Sequence, residues 1–223
     1  MQDRYVAARR RLVEEIEEEV RETRRWLGKD ALDARVIDAL LAVPRHEFVP
    51  ADLRSMAYLN RPLPIGHRQT ISQPYIIAVM TDLLAVPANG RVLEVGTGCG
   101  YQAAVLAQLC DSVYSIEIVE PLGYEAKARL ERLNYDNIHV QIGDGFAGWP
   151  EAAPFDAIIV TAAADEVPPP LVEQLKPGGR MIIPVQRGFG GQELVLIDKD
   201  NQGTMSHKNI LPVRFVPLTG DHE

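Results

Sequence analysis

Arg91-Val92-Leu93-Glu94-Val95-Gly96-Thr97-Gly98-Cys99-Gly100-Tyr101 carries strand-forming residues, with one acid among them, into three glycines at alternate positions. Gln102-Ala103-Ala104-Val105-Leu106-Ala107 then reads as helix. A buried parallel strand that feeds a tight turn and a helix is the first βα unit of a doubly wound sheet. Glycine permits positive φ and lets a ligand lie against the main chain. The spacing is GxGxG, not the GxGxxG of dinucleotide folds. With no phosphate to cradle, Glu94 can sit beside the turn, where a carboxylate suits a cationic ligand. The acid and the spacing together point to S-adenosylmethionine; the alternative is a tight turn with a structural role only.

Downstream of this turn the elements alternate regularly. Ser112 to Ile116 reads as a second strand with Glu117 just past its end, and Leu122 to Leu133 as a helix. Ile138 to Ile142 is a third strand that stops at Gly143-Asp144-Gly145, and Phe155 to Thr161 is a fourth. Pro168-Pro169-Pro170 opens a helix to about Leu175, since proline is tolerated in the first turn. Lys176-Pro177-Gly178-Gly179 ends it, and Arg180 to Val185 is a fifth strand. Glu193 to Asp198 and about Val213 to Leu218 read as two more, an antiparallel pair at one edge. The pattern predicts an α/β fold: a doubly wound, mostly parallel, seven-stranded Rossmann-like sheet.

Upstream the character changes. Residues Met1 to Leu27 are rich in Arg and Glu, with Val13, Ile16, Val20 and Leu27 at helical intervals. That is an amphipathic helix, packed against the main domain or against another subunit. Gly28 breaks it, and Asp30 or Asp33 can cap a second helix whose stripe of Val36, Ile37, Leu40 and Leu41 ends at Pro44. A proline-bounded connector, Pro44 to Pro50, leads into a short helical stretch to about Tyr58. Three prolines and a glycine between Asn60 and Pro74 forbid a long helix or a central strand there. A polar loop of this length is uncommon unless it serves a purpose. Ile76 to Leu84 resumes helical periodicity. The expected organisation is therefore a helical extension at 1–59, an active-site loop at 60–75, and a ligand-binding domain at 76–223.

Composition narrows the functions available. The chain has 223 residues, with 46% hydrophobic and 24% charged, enough for a sizeable core in a soluble protein. A formal net charge of -8 argues against a general nucleic-acid binder. Cys99 and Cys110 are the only cysteines. With no signal peptide or long apolar run, they suggest a reducing, cytoplasmic setting and no membrane partner. The five histidines, His46, His67, His139, His207 and His222, are scattered, and no metal site is expected.

Ligands of such sheets bind beyond the carboxyl ends of the strands, where strand order reverses. Gly96, Thr97, Gly98 and Gly100 form the floor there. Glu117 lies 17 residues past Gly100, where a carboxylate can accept both hydroxyls of a ribose; otherwise it is a surface acid near the helix after Pro121. Asp144, beside Gly145, can accept from an adenine amino group or serve as a plain turn aspartate. All in register, they describe an adenosyl-ligand site.

Leu93 to Tyr101 resembles the first motif of class I methyltransferases. Arg61-Pro62-Leu63-Pro64-Ile65-Gly66-His67-Arg68-Gln69-Thr70-Ile71-Ser72-Gln73-Pro74 resembles the signature of the protein-L-isoaspartate O-methyltransferase family. Pro44 to Pro50, Leu175 to Arg180 and Val213-Arg214-Phe215-Val216-Pro217-Leu218 also match that family, so the likeness covers roughly residues 36 to 218. Cys99 stands where the family usually has serine, and Arg68 where it often has glycine. The resemblance implies methyl transfer from S-adenosylmethionine, with S-adenosylhomocysteine as product. The acceptor would be the free α-carboxylate of L-isoaspartyl residues in damaged peptides and proteins, and repair would proceed through a succinimide. It further implies that Gln69, Thr70, Ser72, Val213 and Arg214 meet the substrate.

That chemistry needs no general base. An α-carboxyl group has a pKa of roughly 3.5 and is already ionised at neutral pH. What must be supplied is alignment, which can contribute on the order of 7–11 kcal/mol. Ser72 is the candidate for orienting the carboxylate, because a hydroxyl donates without quenching its charge. Its other reading is an N-cap for the helix starting near Pro74. The rival functions are a class I methyltransferase acting on a small molecule or RNA, and a module that binds the nucleotide ligand without catalysis. Oligomeric state is left open by the sequence.

Overall fold

A row of parallel strand ends and the loops beyond them line a crevice on the sheet's carboxyl edge. The computed structural model describes residues 4–188 and 190–220. Residues 1–3 of the expected first helix and 221–223 of the expected domain lie outside them.

The central sheet holds β3 (Arg91–Val95), β4 (Ser112–Glu117), β5 (Ile138–Ile142), β6 (Phe155–Val160), β7 (Leu175–Arg187), β8 (Gly191–Lys199) and β9 (Met205–Val213). Their order is β5-β4-β3-β6-β7-β8-β9. The strands from β5 to β7 are parallel neighbours, whereas β8 and β9 are antiparallel. Between β3 and β6 the order reverses, which is the switch point expected to bind ligand. Alternate residues supply the two cores, as a period of two requires. Val92, Ala157, Ile159, Ile182, Leu194 and Leu196 face one side. Leu93, Val95, Ile158, Val160, Ile183, Val195 and Ile197 face the other.

The helices are α1 (Val6–Leu27), α2 (Ala34–Ala42), α3 (Pro74–Leu84), α4 (Tyr101–Ala107), α5 (Glu120–Arg132) and α6 (Pro169–Gln174). The apolar stripe of α1, Leu12, Val13, Ile16, Val20 and Leu27, is buried in the same core as β3 and α4. Of the two partners open to it in the sequence, the main domain is the one it covers. Each such side chain contributes roughly 1.5–3 kcal/mol on full burial. Asp33 is the cap of α2, its carboxylate accepting from Arg35 N at 2.8 Å.

Two expectations change. The edge strand expected at Val213 to Leu218 is instead β9, which ends at Val213. Its stretch Ser206-His207-Lys208-Asn209 is exposed, so burial leaves no apolar signature and pairing with β8 makes the strand. After Val213 the chain leaves the sheet and folds over the carboxyl ends: Ala163 N donates to Val216 O at 2.8 Å and Leu218 N to Ala163 O at 2.7 Å. Likewise 60–75 is not all loop. It contains an antiparallel pair, β1 (Leu63–Gly66) and β2 (Gln69–Ile71). His67 and Arg68 turn it with φ of 49° and 59°, the positive values a two-residue hairpin turn demands.

Candidate active site

One half of the site is the turn between β3 and α4. Gly96, Gly98 and Gly100 have φ of 95°, 54° and 87°, a region that side-chain-bearing residues rarely enter. At Gly96 a Cβ would also overlap the Thr161 hydroxyl. The turn hangs from β4 by Gly96 N and Thr97 N, which donate to Ile116 O at 2.8 and 3.1 Å. It is closed from behind by Arg129, whose Nη1 donates to Cys99 O at 2.9 Å. Burial raises the pKa of the Cys99 thiol and holds it protonated, which suits packing and not nucleophilic attack.

Glu117 is the last residue of β4, not one past it, and it is only 5% exposed. Oε2 accepts from Gly98 N at 2.7 Å and Oε1 from Val119 N at 2.9 Å. Each oxygen keeps a free acceptor site, directed from a residue that lines the cavity. That geometry fits a vicinal diol, and the bare main chain of the glycine turn fits a ligand pressed against it. Ile118, 40% exposed, and Val119 add apolar wall beside Glu117.

Glu94 takes a different place from the one beside the ligand. It is fully buried beneath the turn, where Ser115 Oγ donates to its Oε2 and Ser115 also bonds Thr97 Oγ1 at 2.6 Å. Desolvation raises its pKa to about 8, with the Ser115 bond opposing and Glu117 adding to the rise. It supports the turn from below and is not among the residues that line the cavity. Asp144, half-buried, is likewise not among the residues that line the cavity. Its Oδ1 accepts from Phe146 N at 2.9 Å, while Gly145 forms the surface.

The other half comes from β2 and the strap over the strand ends. Gln69, Thr70 and Ser72 line the cavity beside the glycine turn. A second cavity, walled by Ser72, Gln73, Pro212, Val213, Arg214 and Phe215, opens alongside. The two share Thr70, Ser72, Thr161 and Val216. Ser72 is not the cap of α3: Gln73 occupies that position and no side chain caps the helix. Among the described residues the Ser72 hydroxyl makes no hydrogen bond, whereas its carbonyl accepts from Arg45 Nη2 at 2.7 Å. The strap is fixed by the side chain of Gln192, which accepts from Phe215 N at 2.6 Å and donates to Phe215 O at 3.1 Å.

Thr161 escaped the sequence reading, where it only ended a strand. It sits at the switch point and donates to Gly96 O at 2.7 Å, so it ties the glycine turn to the shared wall. Its one sequence signal is a polar residue directly after the apolar run Ala157-Ile158-Ile159-Val160. Among the residues lining the two cavities the charged ones are Glu117 and Arg214, with no histidine or lysine. The arrangement can bind and align two molecules, and it presents no evident proton acceptor at the shared wall.

A sequence model of the family described as Protein-L-isoaspartate(D-aspartate) O-methyltransferase matches residues 18–223. Protein-L-isoaspartate O-methyltransferase 2 of Syntrophobacter fumaroxidans is 62% identical over 220 residues, 99% of this chain and 89% of its own. The protein of the same name from Polaromonas sp. is 62% identical over 209 residues, 94% of this chain and 99% of its own. Among solved structures, a protein-L-isoaspartate O-methyltransferase with 31% identity gives a TM-score of 0.78 over 92% of this chain and 66% of that one. A structure from Plasmodium falciparum bearing that family name, in complex with S-adenosyl-L-homocysteine, is 26% identical with a TM-score of 0.73. It is matched over 91% of this chain and 98% of that one.

Proposed function

This chain belongs to the protein-L-isoaspartate(D-aspartate) O-methyltransferase family, and we propose that Ser72 aligns the substrate while Glu117 and the glycine turn hold the methyl donor. It is an S-adenosylmethionine-dependent enzyme that methylates isoaspartyl residues of damaged proteins. The observation that carries the assignment of residues is the meeting of two cavities over Thr70, Ser72, Thr161 and Val216.

When bound, S-adenosylmethionine supplies an electrophilic methyl group on a sulfonium centre. Gly96 to Gly100 offers it bare main chain, Glu117 accepts from the ribose hydroxyls, and Ile118 and Val119 give the base an apolar face. Gly145 closes that end, and the carboxylate of its neighbour Asp144 is the acceptor assigned to the adenine amino group. On the other side the Ser72 hydroxyl, which bonds no other described residue, donates to one oxygen of the substrate carboxylate. Gln69 and Thr70 flank it, and Val213 and Arg214 wall the groove for the peptide. A carboxylate with a pKa of roughly 3.5 attacks without losing a proton, so the lack of a base at the shared wall is no obstacle. The residues contribute by orientation and by excluding water.

Paired peptides test the assignment. Radiolabelled methyl groups should enter a peptide containing L-isoaspartate and not the same peptide containing L-aspartate. Equal labelling of both would replace the groove described here with an indiscriminate carboxyl site. Two free, buried thiols, Cys99 and Cys110, suit a reducing compartment, and we assign the chain to the cytoplasm; recovery from a periplasmic extract would refute this.

A further inference from the structure

Arg45 is 0% exposed, in a 3₁₀ turn at Arg45–Glu47 that precedes the hairpin. Arginine is almost never fully buried unless paired with an acid. Among the described residues, no ion pair joins Arg45 to a carboxylate. Its guanidinium instead meets two carbonyls and a ring. Nε donates to Ala57 O at 2.9 Å, Nη2 donates to Ser72 O at 2.7 Å, and Cζ lies 4.8 Å from the centre of the Tyr101 ring. Among the described residues Nη1 is buried without a hydrogen-bond partner. Burial lowers the pKa of the group, yet arginine stays charged in proteins.

The two ends of this contact belong to the two halves of the site. Ser72 lines both cavities, and Tyr101, which follows the glycine turn, lines the donor cavity. A planar guanidinium can bond carbonyls at its edge while its face lies on an aromatic ring; the ammonium of lysine is a point charge without that flat, fixed fork. We propose that Arg45 is a positioning residue for methyl transfer, setting Ser72 against the donor turn by holding the Ser72 carbonyl while resting on Tyr101. The proposal deepens the functional assignment and rests on Ser72 orienting the carboxylate. A buried charge without a carboxylate partner is a poor source of stability, so its removal separates rate from folding.

Arg45→Met and Arg45→Lys test it in the full chain. The readouts are melting temperature, S-adenosylhomocysteine affinity by calorimetry, kcat and KM with the isoaspartyl peptide, and amide hydrogen exchange over 69–73. Arg45→Met should keep or raise the melting temperature and bind S-adenosylhomocysteine within threefold of the parent. Its kcat should fall at least tenfold, with faster exchange at 69–73, and Arg45→Lys should not restore the parent rate. Parent kcat per folded molecule in Arg45→Met, or unchanged exchange at 69–73, overturns the proposal. If Arg45→Met does not fold, Arg45→Lys decides alone, and parent kcat in it overturns the proposal. Failure of both to fold makes Arg45 structural, which also overturns it. If the parent itself ignores isoaspartyl peptide, the functional assignment fails, while exchange at 69–73 still decides whether Arg45 holds Ser72.

Discussion

The donor turn after β3 and the acceptor segment around Ser72 face one cavity but are held by different means. The donor turn is suspended from the ends of the neighbouring strands within the main sheet: Gly96 and Thr97 to Ile116, Gly98 to Glu117, Thr161 to Gly96. Glu94, Thr97 and Ser115 beneath it are all buried. The acceptor segment sits on a two-stranded hairpin outside the main sheet, tethered by single side chains. Arg45 holds Ser72 O, Asn60 Oδ1 accepts from Tyr75 N at 3.0 Å, and Gln192 holds Phe215. The difference implies that damage to the donor turn spreads into cofactor affinity and stability, whereas damage to the acceptor segment stays in turnover.

Gly96→Ala should be the most severe test, because it adds a Cβ onto the Thr161 hydroxyl at a φ of 95°. S-adenosylhomocysteine affinity should fall at least about a hundredfold, with a lower melting temperature, since a strained positive φ costs on the order of 1–3 kcal/mol by itself. A variant that binds and melts like the parent would show that the turn is looser than the sheet around it. Glu117→Ala comes next. It removes acceptors for the ribose, each charge-assisted bond contributing about 1.5–3 kcal/mol, and it also strands Gly98 N and Val119 N. Calorimetry should show affinity lower by roughly ten- to a hundredfold, and an unchanged isotherm would remove Glu117 from the ligand.

Ser72→Ala should separate the halves most cleanly. Its hydroxyl caps nothing, so the melting temperature and cofactor affinity should stay at parent values while turnover falls about tenfold or more through misalignment. A drop in melting temperature of the size expected for a lost cap, about 1 kcal/mol, with full activity per folded molecule, would return Ser72 to a structural role.

The smallest effect concerns the support under the donor turn. Glu94 is ordinarily expected to titrate at 4.5, and burial raises it to about 8. The folded protein therefore keeps a proton that the unfolded chain releases above 4.5, and stability from Glu94 is fully present below that pH and lost as pH rises toward about 8. Glu94→Gln mimics the protonated form, so its melting temperature should fall less between pH 5 and 8 than the parent's. Identical slopes would assign the pH dependence to another group.

Legibility differed between the halves in the same way as their construction. Strand periodicity, the GxGxG turn and Glu117 at a strand end are local patterns, and the sheet and donor turn followed from them. The position of Glu94 did not, because a strand residue's face depends on which neighbours cover it; Ser115, one strand away, draws it beneath the turn. The strand at Met205–Val213 was missed because its exposed middle carries no apolar alternation. Thr161 was missed because its role arises only where β6 ends beside Gly96.

By itself the amino-acid sequence determined the alternating α/β order, the glycine turn, the acid of β4 and, through likeness in the segment at 61–74, the family. Those are properties of neighbouring residues, written in hydrophobic period and backbone permission. Only the tertiary structure decided that Ser72 is freed from capping, that two cavities meet at Thr70, Ser72, Thr161 and Val216, and that Arg45 links Ser72 to Tyr101. Those relations join residues far apart in the chain, and burial and hydrogen-bond geometry exist only once the chain has folded around them.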